Sequence, residues 1–327
     1  MMKVLYDRDN VRVSMMPIGS KVRLSIEAVG YVPFPQIETS YPLSLIEKLI
    51  EVKGPIWFAD EIARDEDPTY VQRTMKWGTL PFVEPERLAN ARVLDFGCGS
   101  GASTAIFARN YSESEIVGVE LDKRLIEIAN LRAEFYELNN MRMLNSPSPN
   151  HLPSDLGKFD FINLSAVFEH LLPDERKSLL PMLWKHLKPN GMLFIYETPH
   201  RYFPIETHTT GLPLINYLPS SLAHAVIQFA GRSEWRNQTW SYLLRAGIRG
   251  GTAREVMRIL GKEAELLPPS RMEIKDRLHL WYAKASEGKR SQRSKDMVYK
   301  GLRTIKAVTG IEMLPELNIA VQRNSAI

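Results

Sequence analysis

Nine consecutive residues, Val93-Leu-Asp-Phe-Gly-Cys-Gly-Ser-Gly101, constrain the fold of this chain more than any others. An apolar pair enters on Asp95, and glycines follow at 97, 99 and 101, ahead of helix-compatible sequence from Ala102 to Arg109. That pattern describes a strand, a tight turn and a helix N-terminus. The backbone must turn sharply there and let a ligand approach with no side chain in the way. A second strand pattern, Glu115-Ile-Val-Gly-Val-Glu120, ends in a carboxylate 21 positions after Gly99. Nucleotide-binding α/β units set an acid for ribose hydroxyls about 20 residues on. The glycine spacing does not by itself separate a mononucleotide-type site from a dinucleotide one, because Ala102 is a residue the G-x-G-x-x-G/A pattern allows. Asp95 and the later strands decide.

Those strands arrive in order. Lys123–Leu138 reads as a helix and Met141–Leu144 as the third strand. Lys158-Phe-Asp-Phe-Ile-Asn-Leu-Ser165 is the fourth strand and runs into Ala166-Val-Phe-Glu-His-Leu-Leu-Pro173. A helix over Asp174–His186, a turn at Leu187-Lys-Pro-Asn-Gly191 and a fifth strand over Met192–Thr198 follow. Residues 91–198, about a third of the chain, thereby resemble the class I S-adenosylmethionine-dependent methyltransferases (methyltransferase types 11 and 12). The F-D-x-I and E-H-L sequences are similar to those of the small-molecule O-methyltransferase branch, including the ubiquinone-pathway type.

The resemblance implies an α/β fold: a Rossmann-like, seven-stranded, mostly parallel sheet with helices on both faces, an N-terminal cap and an insertion after strand five. It implies S-adenosylmethionine as cofactor, with the glycine loop under its methionine part and Glu120 on both ribose hydroxyls. Asp95 would fix the loop and the cofactor's amino end. Gly97, Cys98, Gly99, Gly101, Leu121, Leu164 and Ser165 complete the expected cofactor set. Cys98, the only cysteine, reads as a small residue packed in the turn rather than as a nucleophile. The family often has an aspartate after strand three for the adenine amino group. Here Asn145, Ser146 or Ser148 must accept with an uncharged oxygen.

Chain length accommodates an α/β core of about 200–250 residues with additions. The expected division is a cap or lid over residues 1–88 and a methyltransferase domain over 89–327, with a substrate-covering insertion at 199–262 and a helical addition at 271–308. In the first part, Val11–Ser14 and Lys21–Glu27 read as strands, Tyr41–Val52 as a helix closed by Gly54-Pro55, and Thr69–Lys76 as another. Asp60, Glu61, Asp65, Glu66 and Asp67 read as a solvated helix face, with a site for a cation or a substrate amine as the alternative, and Trp57, Phe58 and Trp77 read as core or interface. Toward the end, Thr252 with Glu255 forms a capping box, Ala264–Leu267 a sixth strand and Leu317–Gln322 an antiparallel seventh. Arg271–Ala285 and Met297–Val308 read as helices.

The formal charge of +4 does not imply nucleic acid. The basic stretch Lys289, Arg290, Arg293, Lys295, Lys300, Arg303 and Lys306 has little aromatic interleaving and reads as a solvated face. One cysteine, no signal-peptide pattern and no run of 18 apolar residues lead to the expectation of a cytoplasmic monomer or homodimer, with peripheral membrane contact left open.

The segment Glu197 to Pro213 gathers the chemistry. A loop leaving the carboxyl end of a parallel sheet is well placed to build an active site. His200 and His208 are candidate bases, and Glu206 or Glu169 could orient one of them. Glu169, His170, Arg201 and Tyr202 are candidate substrate contacts, and hydrogen bonding within the loop is an equal alternative. His200, Glu206 and His208 match no recognised metal-ligand pattern, so no metal is expected. Leu212–Ala230 reads as a buried or ligand-covering apolar stretch, suited to an aromatic, isoprenoid or lipid-linked acceptor. The expected activity is methyl transfer to a hydroxyl of a small, lipid-linked or sugar-linked acceptor. The alternatives are an inactive S-adenosylmethionine-binding partner protein and an RNA or protein methyltransferase.

Overall fold

The computed structural model describes residues 2–288 and 291–324. It opens with an antiparallel meander of four strands, β1 (Lys3–Arg8), β2 (Val11–Ile18), β3 (Lys21–Ala28) and β4 (Gln36–Thr39). The sequence patterns of β2 and β3 predict those strands, whereas β1 and β4 carry no clear alternation. Val11, Val13, Leu24 and Ile26 form the dry face of the meander. It packs on helix α1 (Leu43–Glu66), which breaks at Gly54, where φ is 80°, ahead of Pro55. Short α2 (Pro68–Gln72), a π-helical turn over Arg73–Trp77 and α3 (Pro85–Leu88) lead into the main sheet.

That sheet has seven strands: β5 (Arg92–Phe96), β6 (Glu115–Glu120), β7 (Met141–Asn145), β8 (Phe159–Ser165), β9 (Leu187–Pro199), β10 (Ala264–Leu267) and β11 (Glu316–Arg323). Their order is β10-β11-β9-β8-β5-β6-β7. Pairings from β7 across to β9 are parallel, and β11 runs antiparallel between β9 and β10. Strands buried on both faces need nearly continuous apolar sequence, which β5 and β8 supply. The Leu187–Gly191 segment is not a free turn. It is a bulge inside β9, between the pairs Phe159↔Leu187 and Phe161↔Met192.

The connecting helices are α4 (Ala102–Asn110), α5 (Lys123–Phe135), α6 (Pro173–His186), α7 (Ser220–Ala230), α8 (Trp240–Arg245), α9 (Ala253–Leu260), α10 (Arg277–Ser286) and α11 (Gln292–Thr309). Leu179, Leu180 and Leu183 of α6 and Val256 of α9 cover one face of the sheet. Ile106 and Phe107 of α4 and Leu280 of α10, with Met75, Trp77 and Phe82, cover the other. Each fully buried large side chain of this kind stabilises the fold by about 1.5–3 kcal/mol. Thr252 caps α9 through the N–H of Glu255, but the Glu255 carboxylate turns to Arg176, so the reciprocal half of the expected box is absent.

The N-terminal unit is joined to the main sheet by charge as well as by apolar contact. Arg132 of α5 is fully buried. Its guanidinium donates to the carbonyl and hydroxyl oxygens of Ser100 at 2.6 Å and to the Tyr41 hydroxyl at 3.1 Å. Asp65, 3.7 Å from Arg132, accepts from the Tyr41 hydroxyl, and Glu61 accepts from the Ser100 hydroxyl. Burial works to raise the Glu61 pKa, but Arg64, Arg132 and Lys53 outweigh it and hold it at about 2. This corrects the reading of the acidic run as a solvated face: Glu61 and Asp65 are buried. Trp57 is half exposed, while Phe58 and Trp77 are core.

Part of the basic C-terminal helix is also committed internally. Arg303 and Lys306 pair with Asp276 and Glu312, and the buried Lys295 donates to the Gly288 carbonyl. Lys289 and Arg290 lie outside the described residues. Among the described residues no helix is long and apolar enough to cross a membrane.

Candidate active site

β5 delivers Asp95 at its carboxyl end, and the chain turns back under Val119 of β6, whose carbonyl accepts from the N–H groups of Gly97 and Cys98. Gly97 has φ of 70°, and a Cβ there would lie 2.8 Å from a methyl of Val167. Gly101 has φ of 77°, and a Cβ there would lie 2.6 Å from Cβ of Ala129 on α5. Both positions need glycine for conformation and for space. The buried Asp95 carboxylate accepts from the hydroxyls of Ser103 and Thr104, at 2.6 and 2.7 Å, tying the first turn of α4 to the strand. Burial raises its pKa against those two bonds. Cys98 is buried beneath the loop, and burial with the nearby Asp95 and Glu120 pushes its thiol pKa well up, which suits packing and not nucleophilic chemistry.

Glu120 ends β6. Its carboxylate accepts from the N–H groups of Gly99 at 2.9 Å, Leu121 at 2.6 Å and Asp122 at 3.1 Å. Three amides therefore fix one acid at the mouth of a cavity of about 260 Å³ on the carboxyl edge of the sheet. Gly97, Glu120, Leu121, Ser146, Ser148 and His170 are among its lining residues. Asn145 braces it from behind, donating to the carbonyls of Glu120 and Leu121. Leu164 is buried in the core, and neither it nor Ser165 lines the cavity. Ala166 and Val167, just beyond β8, do. Ala166 has φ of 50°, a conformation that costs a non-glycine residue energy and that lays backbone along the cavity wall.

Glu169, His170 and His208 meet at that wall. Their donor atoms all lie within 4.8 Å of one another, the one such group of three among the described residues. The chemistry of a carboxylate and two imidazoles would suit a divalent cation as well as a proton relay. His170 Nδ1 bonds the Arg245 carbonyl at 2.8 Å, which fixes the proton there and leaves Nε2 as the lone-pair nitrogen, 3.8 Å from Glu169. Glu169 is fully buried, with one oxygen accepting from Thr198 at 2.7 Å and the other unpartnered in the protein. Burial raises its pKa, opposed by His170. Burial also lowers the His208 pKa, and His170 adds to the effect.

The other sequence candidates do not join this group. His200 is buried, and its Nδ1 accepts the Tyr202 N–H at 3.3 Å. Burial lowers its pKa to about 4, with Glu312 opposing and Arg277 assisting. Glu206 spends its carboxylate on the loop itself, accepting from the N–H groups of His208, Thr209 and Thr210 and from both threonine hydroxyls. Arg201 and Tyr202 line a second, larger cavity, separated from the first by Leu171. Of the 212–230 stretch, Ser220 lines the second cavity and the apolar residues mostly lie elsewhere. Ile215, Ala223 and Ile227 form a small core with Leu243 and Ile248, while Leu214, Leu222 and Phe229 face outward. Asn163 and Tyr196, whose side-chain polar atoms are buried without partners, escaped the sequence reading because each sits in a run that reads as plain strand.

A family model described as a methyltransferase domain matches residues 94–193. An uncharacterized protein of Rickettsia prowazekii is 34% identical over 148 residues, 42% of this chain and 59% of that one. A ribosomal protein L11 methyltransferase of Bordetella parapertussis is 30% identical, covering 47% of this chain and 52% of its own length. A ubiquinone biosynthesis O-methyltransferase of Coxiella burnetii is also 30% identical, covering 47% and 64%. The chain spans about half the length of the curated relatives it matches. Among solved structures, PKMT2 from Rickettsia typhi aligns with a TM-score of 0.44 at 18% identity, covering 80% of this chain and 53% of that one. The glycine turn, Glu120 and the strand order β7-β6-β5-β8-β9 all fall within or around the matched residues, so this part of the chain is similar to the class I, S-adenosylmethionine-dependent methyltransferase domain.

Proposed function

We propose that the chain methylates a hydroxyl of a small acceptor, with S-adenosylmethionine as donor. The observation that carries this is the single cavity shared by the Gly97 turn, the amide-anchored Glu120 and His170. The cofactor fits these residues on two grounds. A side chain at Gly97 would fill the cradle, and Glu120 offers a fixed acceptor of the kind a ribose diol pairs with. Ser146 and Ser148 line the same cavity and supply neutral oxygens near an adenine amino group. When bound, the cofactor supplies an electrophilic methyl group on a sulfonium that departs as a neutral thioether.

The protein's share is alignment, exclusion of water and removal of one proton. His170 Nε2 would take the proton of the acceptor hydroxyl, and Glu169, 3.8 Å away, would stabilise the imidazolium formed. His208 beside it has a lowered pKa, which favours its neutral form. Residues 199–262 cover the acceptor, and residues 1–88 brace the glycine turn through Arg132. A small acceptor is favoured over a protein or RNA because Arg303 and Lys306 of the basic C-terminal helix are paired within the fold.

Calorimetric titration with S-adenosylmethionine and S-adenosylhomocysteine tests the reading. Both should bind at micromolar strength, and Glu120→Ala should weaken each by about 1–3 kcal/mol, the cost of leaving buried polar partners unpaired. Failure of both to bind wild type sinks it.

A further inference from the structure

The second cavity, about 780 Å³, is walled by six cationic side chains: Arg176, Lys177, Arg201, Arg249, Arg254 and Arg258. Glu255 is the one carboxylate among its lining residues, and Arg176 already holds it at 3.2 Å. Arg249 is only 7% exposed. Its guanidinium donates to the carbonyls of Ile215, Asn216 and Leu218 at 3.2, 3.0 and 2.9 Å and lies over the Trp240 ring. Carbonyls and an aromatic face fix its position but leave a full positive charge uncompensated. Arg201 is partly buried and has no hydrogen bond or ion pair from its side chain among the described residues. Burial depresses the pKa of both arginines, and each guanidinium stands in a wall of like charge. Arg254 and Arg258, one helical turn apart on α9, are exposed and likewise unpaired among the described residues.

A buried, unpaired charge is costly, and a planar guanidinium fork matches a carboxylate or phosphate in two-point contact. We propose that this cavity receives the anionic group, phosphate or carboxylate, of the methyl acceptor, held by Arg201 and Arg249 with Arg254 and Arg258 at the mouth. The inference rests on the methyltransferase reading for the word acceptor: Leu171 lines both cavities, so the anion site adjoins the cavity that holds His170.

The test is calorimetry on the full chain with inorganic pyrophosphate, with citrate and with vesicles containing phosphatidic acid, alongside S-adenosylhomocysteine. At least one anion should bind below millimolar, and Arg201→Met should weaken it tenfold or more with S-adenosylhomocysteine binding unchanged. Arg201 holds no internal bond, so this variant should fold as wild type does. The double variant R254E/R258E should weaken the same ligand and flatten its salt dependence. Binding of free anions points to a soluble acceptor; binding of vesicles alone, lost in Arg201→Met, points to a lipid headgroup, and both support the site. Wild type that takes S-adenosylhomocysteine but no anion, or anion binding indifferent to Arg201→Met, overturns it. Anion binding without S-adenosylhomocysteine binding keeps the site and removes the methyltransferase reading instead.

Discussion

His200 shows how one buried side chain makes stability depend on pH. Its pKa falls from 6.5 unfolded to about 4 folded, so between those values the unfolded chain binds more protons. The sign follows: the contribution is fully present above about 6.5 and is lost as pH falls toward 4. The full penalty is about 3 kcal/mol. His200→Asn should therefore narrow its stability gap to wild type between pH 7.5 and 4.5, measured by urea unfolding, and a gap independent of pH would refute the assignment. Arg132 makes a second case. Arg132→Met leaves Glu61 and Asp65 buried without their guanidinium and should cost about 3–5 kcal/mol. Ser100→Ala removes the hydroxyl shared by Arg132 and Glu61 but keeps the Arg132 bond to the Ser100 carbonyl, so it should cost about 1–3 kcal/mol, less than Arg132→Met, and weaken S-adenosylhomocysteine binding several-fold.

Legibility at this scale followed the range of the chemistry. Gly97, Gly101 and Glu120 could be read because turn geometry and strand ends are local. Glu61 and Asp65 could not, because the partner that buries them is 71 and 67 positions away. One signal was present: both acids share a helical face with Phe58 and Ile62, and a solvated acidic stripe does not include such neighbours. Glu169 and His170 were visible as a pair. That His208 and not His200 completes the group depends on the path of a proline-rich loop, which spacing does not encode.

At the level of elements, the turn between β5 and α4 has the least freedom. Gly101→Ala must adopt a positive φ and push Ala129 aside, so we expect a loss of about 1–3 kcal/mol in urea unfolding and a parallel loss of cofactor affinity. A variant as stable as wild type would show that α4 and α5 yield there. The main strands and their helices were legible from period and run length, since parallel strands buried on two faces are continuous apolar runs. The edge strands β1 and β4 were not, because strands that pair on one side only need no such run. Leu212–Ala230 could be read only as buried or ligand-covering, because apolar composition does not say which of two cores, or solvent, receives it.

For the whole molecule, the meander and α1 form one dry layer with Ile128, Leu125 and Phe135 of α5. Deleting residues 3–40 should expose that layer, raise proteolysis of α5 and abolish S-adenosylhomocysteine binding. Cofactor binding that survives the deletion would show that the main sheet holds its glycine turn unaided.

The order of the main sheet also has a consequence for how the chain is made. β11 is flanked by β9 and β10, and β10 has β11 as its neighbour in the sheet. During synthesis β10 therefore emerges about 50 residues before the strand that can hold it, and the outer edge of β9 stays open for longer still. An open strand edge templates pairing with other chains. Lys284, which bridges Glu197 at the end of β9 and Glu316 at the start of β11, keeps a charge beside that gap until the last strand slides in and closes it.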